Sequence, residues 1–409
     1  SGYNMRELFV TGLQQFSMYG SEVTGLDAQE LKSARANYVR LVGSQASSAS
    51  SAITLETAGD PLWRQALGPA LTWSSIVWKS ATARAFQAVV DIPRLGQLAA
   101  PAIQRLPRTW GGVKGPLGAA HLSLARIGWK FKTPFTLESD AGETFVLTSM
   151  SPALICYHFQ LAWKKAVGVQ AGRALGLQDS QIDSTIYRKV ISSTQTSGKD
   201  KALLRAFVTH ACWSPQRLHD VGYDVATECA LCGASSDSLG HRLFQCRCTQ
   251  ELREEFQISQ DDLDFIRYHA DFRALGVGLQ IMPPPLAERP QGLGSETFES
   301  WTLTGRPIQE LLCGDLFTDG SCFRHGPPTW NQAGWAVAKV SRDGVLLGWM
   351  RGQVGNLLPA SAAAGEHVAV LAGATEAENS VTLNSDYKGL EELETAAHDV
   401  ISHRKAMYA

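Results

Sequence analysis

Two sets of side chains in this sequence have the types and spacing for metal chemistry. The first is Cys229-Ala230-Leu231-Cys232-Gly233, then His241 and Cys246, a Cys-x2-Cys-x8-His-x4-Cys pattern. Zinc takes four soft or borderline donors in a tetrahedron, and a tight Cys-x2-Cys turn supplies two of them from one loop. Cys248 stands two residues beyond Cys246 and is an alternative fourth donor. The second set is acidic. The apolar run Leu316-Phe317-Thr318 ends in Asp319, with Gly320 at once behind it. Glu366 lies on a small-residue helix expected over about 361–377, and the run Val381-Thr382-Leu383-Asn384-Ser385 delivers Asp386. Three carboxylates therefore stand at two strand ends and on the helix between them. Asp315, four residues before Asp319, reads as solvated.

The elements that must position the acids can be read from alternation. Ala333 to Val340 and Val345 to Met350 read as two strands paired across the Arg342-Asp343-Gly344 turn. Taken in order, Thr318-Asp319-Gly320-Ser321, then Ala333-Gly334-Trp335, then Glu366, then Asp386-Tyr387-Lys388-Gly389-Leu390 resemble the type 1 ribonuclease H family. The resemblance covers 310–409 and implies a mixed sheet flanked by helices. It further implies that Asp319, Glu366 and Asp386 hold two Mg²⁺ ions for hydrolysis of the RNA strand of an RNA–DNA hybrid. The products would carry a 5′-phosphate and a 3′-hydroxyl. Hard divalent cations want oxygen ligands, and in-line displacement at phosphate needs charge neutralised on both sides. Among the acids of the same helix, the place of Glu366 fits the family better than Glu376 or Glu378, which lie near its C-terminal end. The family's fourth acidic ligand lies on a last helix after a further strand. His398-Asp399, within a helix expected over 391–403, follows Asp386 too soon to be that member. The expectation is a chain cut short or a degenerate domain, and the first residue, Ser1 rather than Met, also reads as a fragment.

Composition bounds the rest. The 409 residues are 44% hydrophobic and 19% charged, and such a length suits two to four domains. No apolar run reaches the ~18 residues of a membrane span, and no signal peptide opens the chain. The net charge of −2 conceals an asymmetry. Residues 61–217 hold nineteen Lys/Arg against seven Asp/Glu, with seven of the eleven Trp, whereas 218–409 hold fourteen against twenty-six. Such an excess is what a phosphate-binding surface requires. Of the eight cysteines, four cluster within twenty residues, and Cys156, Cys212, Cys313 and Cys322 stand apart. That usage suits an intracellular protein with a metal site better than a secreted disulfide scaffold.

Along the chain, helical spacing is expected at 3–19, from Leu26 to about Leu41 with Asp27 and Glu30 as a capping box, and over about 61–90, 121–129 and 152–171. Phe135 to Glu138 and Thr144 to Leu147 read as a hairpin across Asp140-Ala141-Gly142. Leu8 to Leu13 leading to Tyr19-Gly20-Ser21-Glu22-Val23 resembles the thumb and connection of non-LTR-retrotransposon reverse transcriptases. Arg217-Leu218-His219 through His241 to Cys246 resembles the zinc-binding region that follows the polymerase in those elements. No paired-aspartate Tyr-x-Asp-Asp motif, repeat or P-loop is present. His210 and His219 read as surface or packing residues. Asp261, Asp262 and Asp264 read as a solvated helix start.

The expected fold class is multidomain α plus α/β. A basic helical thumb/connection-like region (1–200) precedes a zinc-binding module (201–275), a Pro/Gly-rich linker (276–309) and an incomplete ribonuclease H-like mixed β-sheet with flanking helices (310–409). The function implied is an RNA–DNA hybrid ribonuclease within a retrotransposon polyprotein, with Mg²⁺ and Zn²⁺ as cofactors. The alternative is an inactive nucleic-acid-binding relic of the same element. The partners implied are hybrid or other nucleic acid and the rest of a polyprotein, with no membrane, and the family implies a nuclear location.

Overall fold

In the computed structural model the described residues are 20–42, 49–82, 91–178, 180–268, 279–284, 288–324, 330–377 and 380–386. The helices expected at 3–19 and 391–403, His398-Asp399 and Glu378 lie outside them. The chain divides into two compact units, Ser1–Thr148 with Ile155–Met282, and Ser149–Leu154 with Pro283–Ala409. Both helices and mixed sheets are present.

The first unit is helix-rich. Its helices include α1 (Ala28–Val42), α2 (Ser51–Ala58), α3 (Gly68–Thr82), α4 (Ile92–Ile103), α5 (Pro116–Ala125) and α6 (Pro152–Ala174). Caps fix the starts. The Asp27 carboxylate accepts from the Glu30 amide, and Glu30 accepts from that of Asp27, both at 2.7 Å, which satisfies two donors that no helical carbonyl can reach. The expected hairpin is β2 (Thr136–Glu138) with β3 (Thr144–Val146), and β1 (Lys130–Thr133) adds a third antiparallel strand. Trp129 stacks on Phe145 at 4.5 Å and meets Phe159 edge-on at 5.2 Å. Much of the acid here is consumed inside the unit: Glu138 pairs with Lys130 and Lys132, and Asp140 with Lys165. Arg94, Arg105, Arg108 and Lys114 are exposed along α4 and the segment after it.

Next come β4 (Ile182–Asp183), α7 (Thr185–Ser192), α8 (Gly198–Val208) and α9 (Pro215–Asp220), then a π-helical turn at His241–Gln245, α10 (Gln250–Glu255) and α11 (Gln260–Tyr268). Asp262 and Ser259 cap the start of α11 reciprocally, as a solvated helix start should. β5 (Gln280–Ile281) returns antiparallel to β4.

Among the described residues the second unit has a five-stranded sheet and one long helix. Its strands are β6 (Phe298–Thr302), β7 (Gly314–Phe323), β8 (Gln332–Val340), β9 (Leu346–Gln353) and β10 (Val381–Asn384), in the order β10-β7-β8-β9-β6. β10 runs parallel to β7 and every other pair is antiparallel. α12 (Ala362–Glu376), capped by the Ser361 hydroxyl at the Ala364 amide, lies between β9 and β10 in sequence, as a parallel return requires. Its buried Val368, Ala369 and Ala372 pack with Leu316, Trp335, Val337 and Met350. The stretch 276–309 differs from the expected linker, because β5 and β6 lie within it. Apolar contacts order its second half: Phe298 meets Trp335 edge-on at 6.3 Å, and the Trp335 indole donates to the Gly294 carbonyl at 3.1 Å. Among the described residues no helix is long and apolar enough to cross a membrane.

One buried acid in the first unit makes its stability depend on pH. Glu56 on α2 accepts from the Ser184 hydroxyl at 2.8 Å. Burial pushes its pKa up to about 7 from 4.5, against the lowering effects of that bond, Arg188 and Lys164. A carboxyl whose folded pKa is raised contributes fully below the unfolded value, and the contribution is lost as pH rises through the folded one. Stability should therefore fall by about 3 kcal/mol between pH 4.5 and 7. Glu56→Gln should flatten that slope in urea titrations at pH 5 and pH 8. An unchanged slope would place the titration elsewhere.

Candidate metal centres

The cysteine–histidine centre is built from two turns. In the first, the Gly233 amide returns to the Cys229 carbonyl at 2.8 Å and the Cys229 amide donates to the Ala234 carbonyl at 2.7 Å. Closing so tight a loop puts Gly233 at φ +74°, a conformation glycine adopts without strain. The second turn is the π-helical His241–Gln245, opened by the Ser238 hydroxyl at the His241 amide. The Cys246 amide then bonds the His241 carbonyl at 2.7 Å. The ligand atoms of Cys229, Cys232, His241 and Cys246 consequently lie within 4.8 Å of one another. The Cys232 sulfur is 3.2 Å from His241 Nε2, close to the roughly 3.6 Å edge that zinc–sulfur and zinc–nitrogen bonds set in a tetrahedron. This donor set could hold a metal ion such as zinc.

Backbone amides favour thiolate here. Burial opposes ionisation of Cys229, but the Cys232 and Leu231 amides together with the Cys232 and His241 side chains hold the thiol below its ordinary value. Cys246 is held low against burial by the Cys248 amide, the Cys232 and Cys229 thiols and the Thr249 amide. At Cys232 the Ala234 amide favours thiolate, yet burial and the Cys246 and Cys229 sulfurs carry the thiol upward. The geometry also separates the two candidate fourth donors. Cys246 is fully buried within the set, whereas Cys248 is exposed and its thiol donates to the Leu231 carbonyl at 3.1 Å.

Residues without a ligand signature hold the two turns together. Asp237, fully buried, takes a bidentate pair from Arg242 with both bonds at 2.6 Å. Those bonds hold the Asp237 carboxyl below its usual range, despite burial. Arg253 donates to the Cys246 carbonyl at 3.0 Å and to Thr249 Oγ1 at 2.7 Å. The Asp–Arg spacing matches neither helical nor strand periodicity, so no pattern in the chain announced it. His219 is exposed beside Asp220, and His210 lies outside the four-ligand set.

The acidic centre forms where β10 ends. Asn384 lies level with Phe317 in the parallel register, so two residues later Asp386 reaches Asp319. Among the described residues the pairing of β10 with β7 ends at Asn384 and Phe317, and the Gly320 amide donates to Glu366 Oε1 at 2.7 Å. Glu366 Oε2 accepts from the Ser385 hydroxyl at 3.0 Å. Helix and sheet meet this closely because two glycines face each other. A β-carbon on Gly320 would lie 2.2 Å from the Glu366 nitrogen, and one on Gly365 would lie 2.4 Å from the Gly334 carbonyl oxygen. The carboxylate oxygens of Asp319, Glu366 and Asp386 lie within 4.8 Å of one another, with Glu366 buried and the two aspartates exposed. Burial, together with the charges of Asp319 and Asp386, pushes the Glu366 carboxyl up, against the Gly320 and Ser385 hydrogen bonds. Asp315 lies outside the group, and Glu376 bonds Gln309 at 2.8 Å.

Cys246→Ser should abolish stoichiometric zinc in the purified chain, and Cys248→Ser should leave it intact, as measured by metal analysis. The reverse pattern would make Cys248 the fourth ligand.

No protein-family model, curated protein or solved structure matches this chain, so the reading of both centres rests on its own residues.

Proposed function

We propose that the second unit is a type 1 ribonuclease H-like domain that hydrolyses the RNA strand of an RNA–DNA hybrid, within a chain derived from a retrotransposon polyprotein. The observation that carries the proposal is the convergence of Asp319, Glu366 and Asp386, with oxygens within 4.8 Å, at the end of the parallel β7–β10 pair. The strand order β10-β7-β8-β9 and the helix α12 ahead of β10 fit that fold. The three residues suit Mg²⁺ because they offer only oxygen donors at concentrated negative charge. Bound there, two Mg²⁺ ions would supply a water of lowered pKa and neutralise charge at the leaving oxygen.

The chain's own residues define the rest. Glu366 is oriented by the Gly320 amide and the Ser385 hydroxyl, which leaves its remaining lone pairs for a cation. Asp319 and Asp386, exposed at the sheet end, face the solvent from which a phosphodiester would approach. In the first unit, the exposed Arg94, Arg105, Arg108 and Lys114 are the cations we assign to phosphate contacts. The cysteine–histidine set, with four protein donors, is a structural centre rather than a catalytic one. An element of this kind acts in the nucleus, which is the location we assign.

The test is Mg²⁺-dependent cleavage of a labelled RNA–DNA hybrid. Asp319→Asn should lower the rate by more than ~100-fold, and Ser385→Ala, which loses an outer-shell bond, by about 10-fold. Hybrid binding at moderate salt without cleavage would favour the inactive relic. Cleavage indifferent to Asp319→Asn would exclude this site.

A further inference from the structure

The cysteine–histidine module leaves large apolar side chains on its surface. Phe256, at the end of α10, is 74% exposed, more than any other large apolar side chain among the described residues. Leu252, one helical turn before it, and Leu231, between the two knuckle cysteines, are each 55% exposed. Single exposed apolar residues are ordinary on a protein surface, whereas a contiguous set marks a contact site.

Geometry makes these three one stripe. Cys248, Leu252 and Phe256 are spaced by four along the short turn Arg247–Thr249 and α10, so they follow one another on a single side. The Cys248 thiol donates to the Leu231 carbonyl at 3.1 Å, and Arg247 donates to the Cys232 carbonyl at 3.3 Å. Those bonds set the knuckle at the head of the row. A different side of α10 fastens it to the module: Arg253, buried, donates to the Cys246 carbonyl at 3.0 Å. The Ile258 amide closes the helix at the Arg253 carbonyl, at 2.9 Å. Phe256 therefore stands on a fixed turn, and little backbone freedom remains to be lost on contact.

Charge decides what the stripe suits. Residues 247–264 carry six carboxylates and two arginines, one of them the buried Arg253. Glu251 and Glu255 are exposed and flank the stripe at neighbouring helical positions. A phosphate backbone or an anionic lipid surface would be repelled there. We propose that the Leu231–Leu252–Phe256 stripe docks a basic amphipathic helix of a partner protein, with its apolar side on the stripe and its cations against Glu251 and Glu255. An apolar centre with an aromatic anchor, inside a polar rim, is the usual anatomy of such contacts. The site shares no residue with the four ligands or the three carboxylates and does not rest on the hydrolase reading.

The test uses the full chain purified with zinc. The probe is a fluorescent synthetic amphipathic helix of leucine and lysine, read by anisotropy. The chain should bind it, and the same helix built with glutamate in place of lysine should not bind. Phe256→Ser and Leu252→Ser should each weaken binding by about 10-fold, as loss of an interface anchor does. Their melting temperature and zinc content should stay those of the parent chain, because both side chains are exposed. Glu251→Gln combined with Glu255→Gln should slow association and flatten its salt dependence. Equal affinity for the two peptides, no binding of the lysine helix, or binding unchanged in Phe256→Ser and Leu252→Ser would overturn the proposal. Self-association of the chain that is lost in Phe256→Ser, seen by sedimentation, would make a second copy the occupant and overturn it equally.

Discussion

The acidic centre depends on how closely α12 can approach β7. A helix normally stands off a sheet by the thickness of the side chains between them, which would leave Glu366 far from Asp319. Gly320 and Gly365 remove that layer, and the helix backbone comes against the strand. The Gly320 amide, past the last described β10–β7 pair, is the donor that orients Glu366. One close contact therefore satisfies a half-buried donor, positions a buried carboxylate and sets it against two exposed ones. The cost is visible in the raised Glu366 carboxyl, since burial and like charge both oppose its ionisation.

The cysteine–histidine centre solves a different problem by different means. The residues around it supply little apolar core, so short turns are held by hydrogen bonds to sulfur, a buried Asp237–Arg242 pair and the Arg253 bond to the Cys246 carbonyl. A metal ion would join the two turns into one unit, as structural zinc does in small modules. In the acidic centre the protein core places the ligands. Here a bound ion would do much of the work of a core.

Much of this could be read from the chain where a local rule was strong. The β8–β9 hairpin follows from alternation across a glycine turn, and the paired caps at Asp27 and Glu30 from their spacing. The grouping of Asp319, Glu366 and Asp386 rests on strand ends and a helix that are each legible locally. What stayed hidden depends on burial or long-range pairing. Sequence put Cys246 fourth in the set with Cys248 as the alternative, and burial and the grouping of the ligand atoms separate them. The strand β6 was concealed in a Pro/Gly-rich stretch, because its order comes from β9 and Trp335 rather than from its own pattern. The Gly320–Gly365 approach and the Asp237–Arg242 clamp likewise have no local signal. The fold of the sheet was thus more legible than the contacts that make it a site.

The most direct test of this account is anomalous scattering from crystals of the chain grown with Mn²⁺ in place of Mg²⁺. The account predicts a manganese peak bound by oxygens of Asp319, Glu366 and Asp386, with the Gly320 amide still bonded to Glu366. A well-ordered site without manganese, or manganese bound only elsewhere, would contradict it.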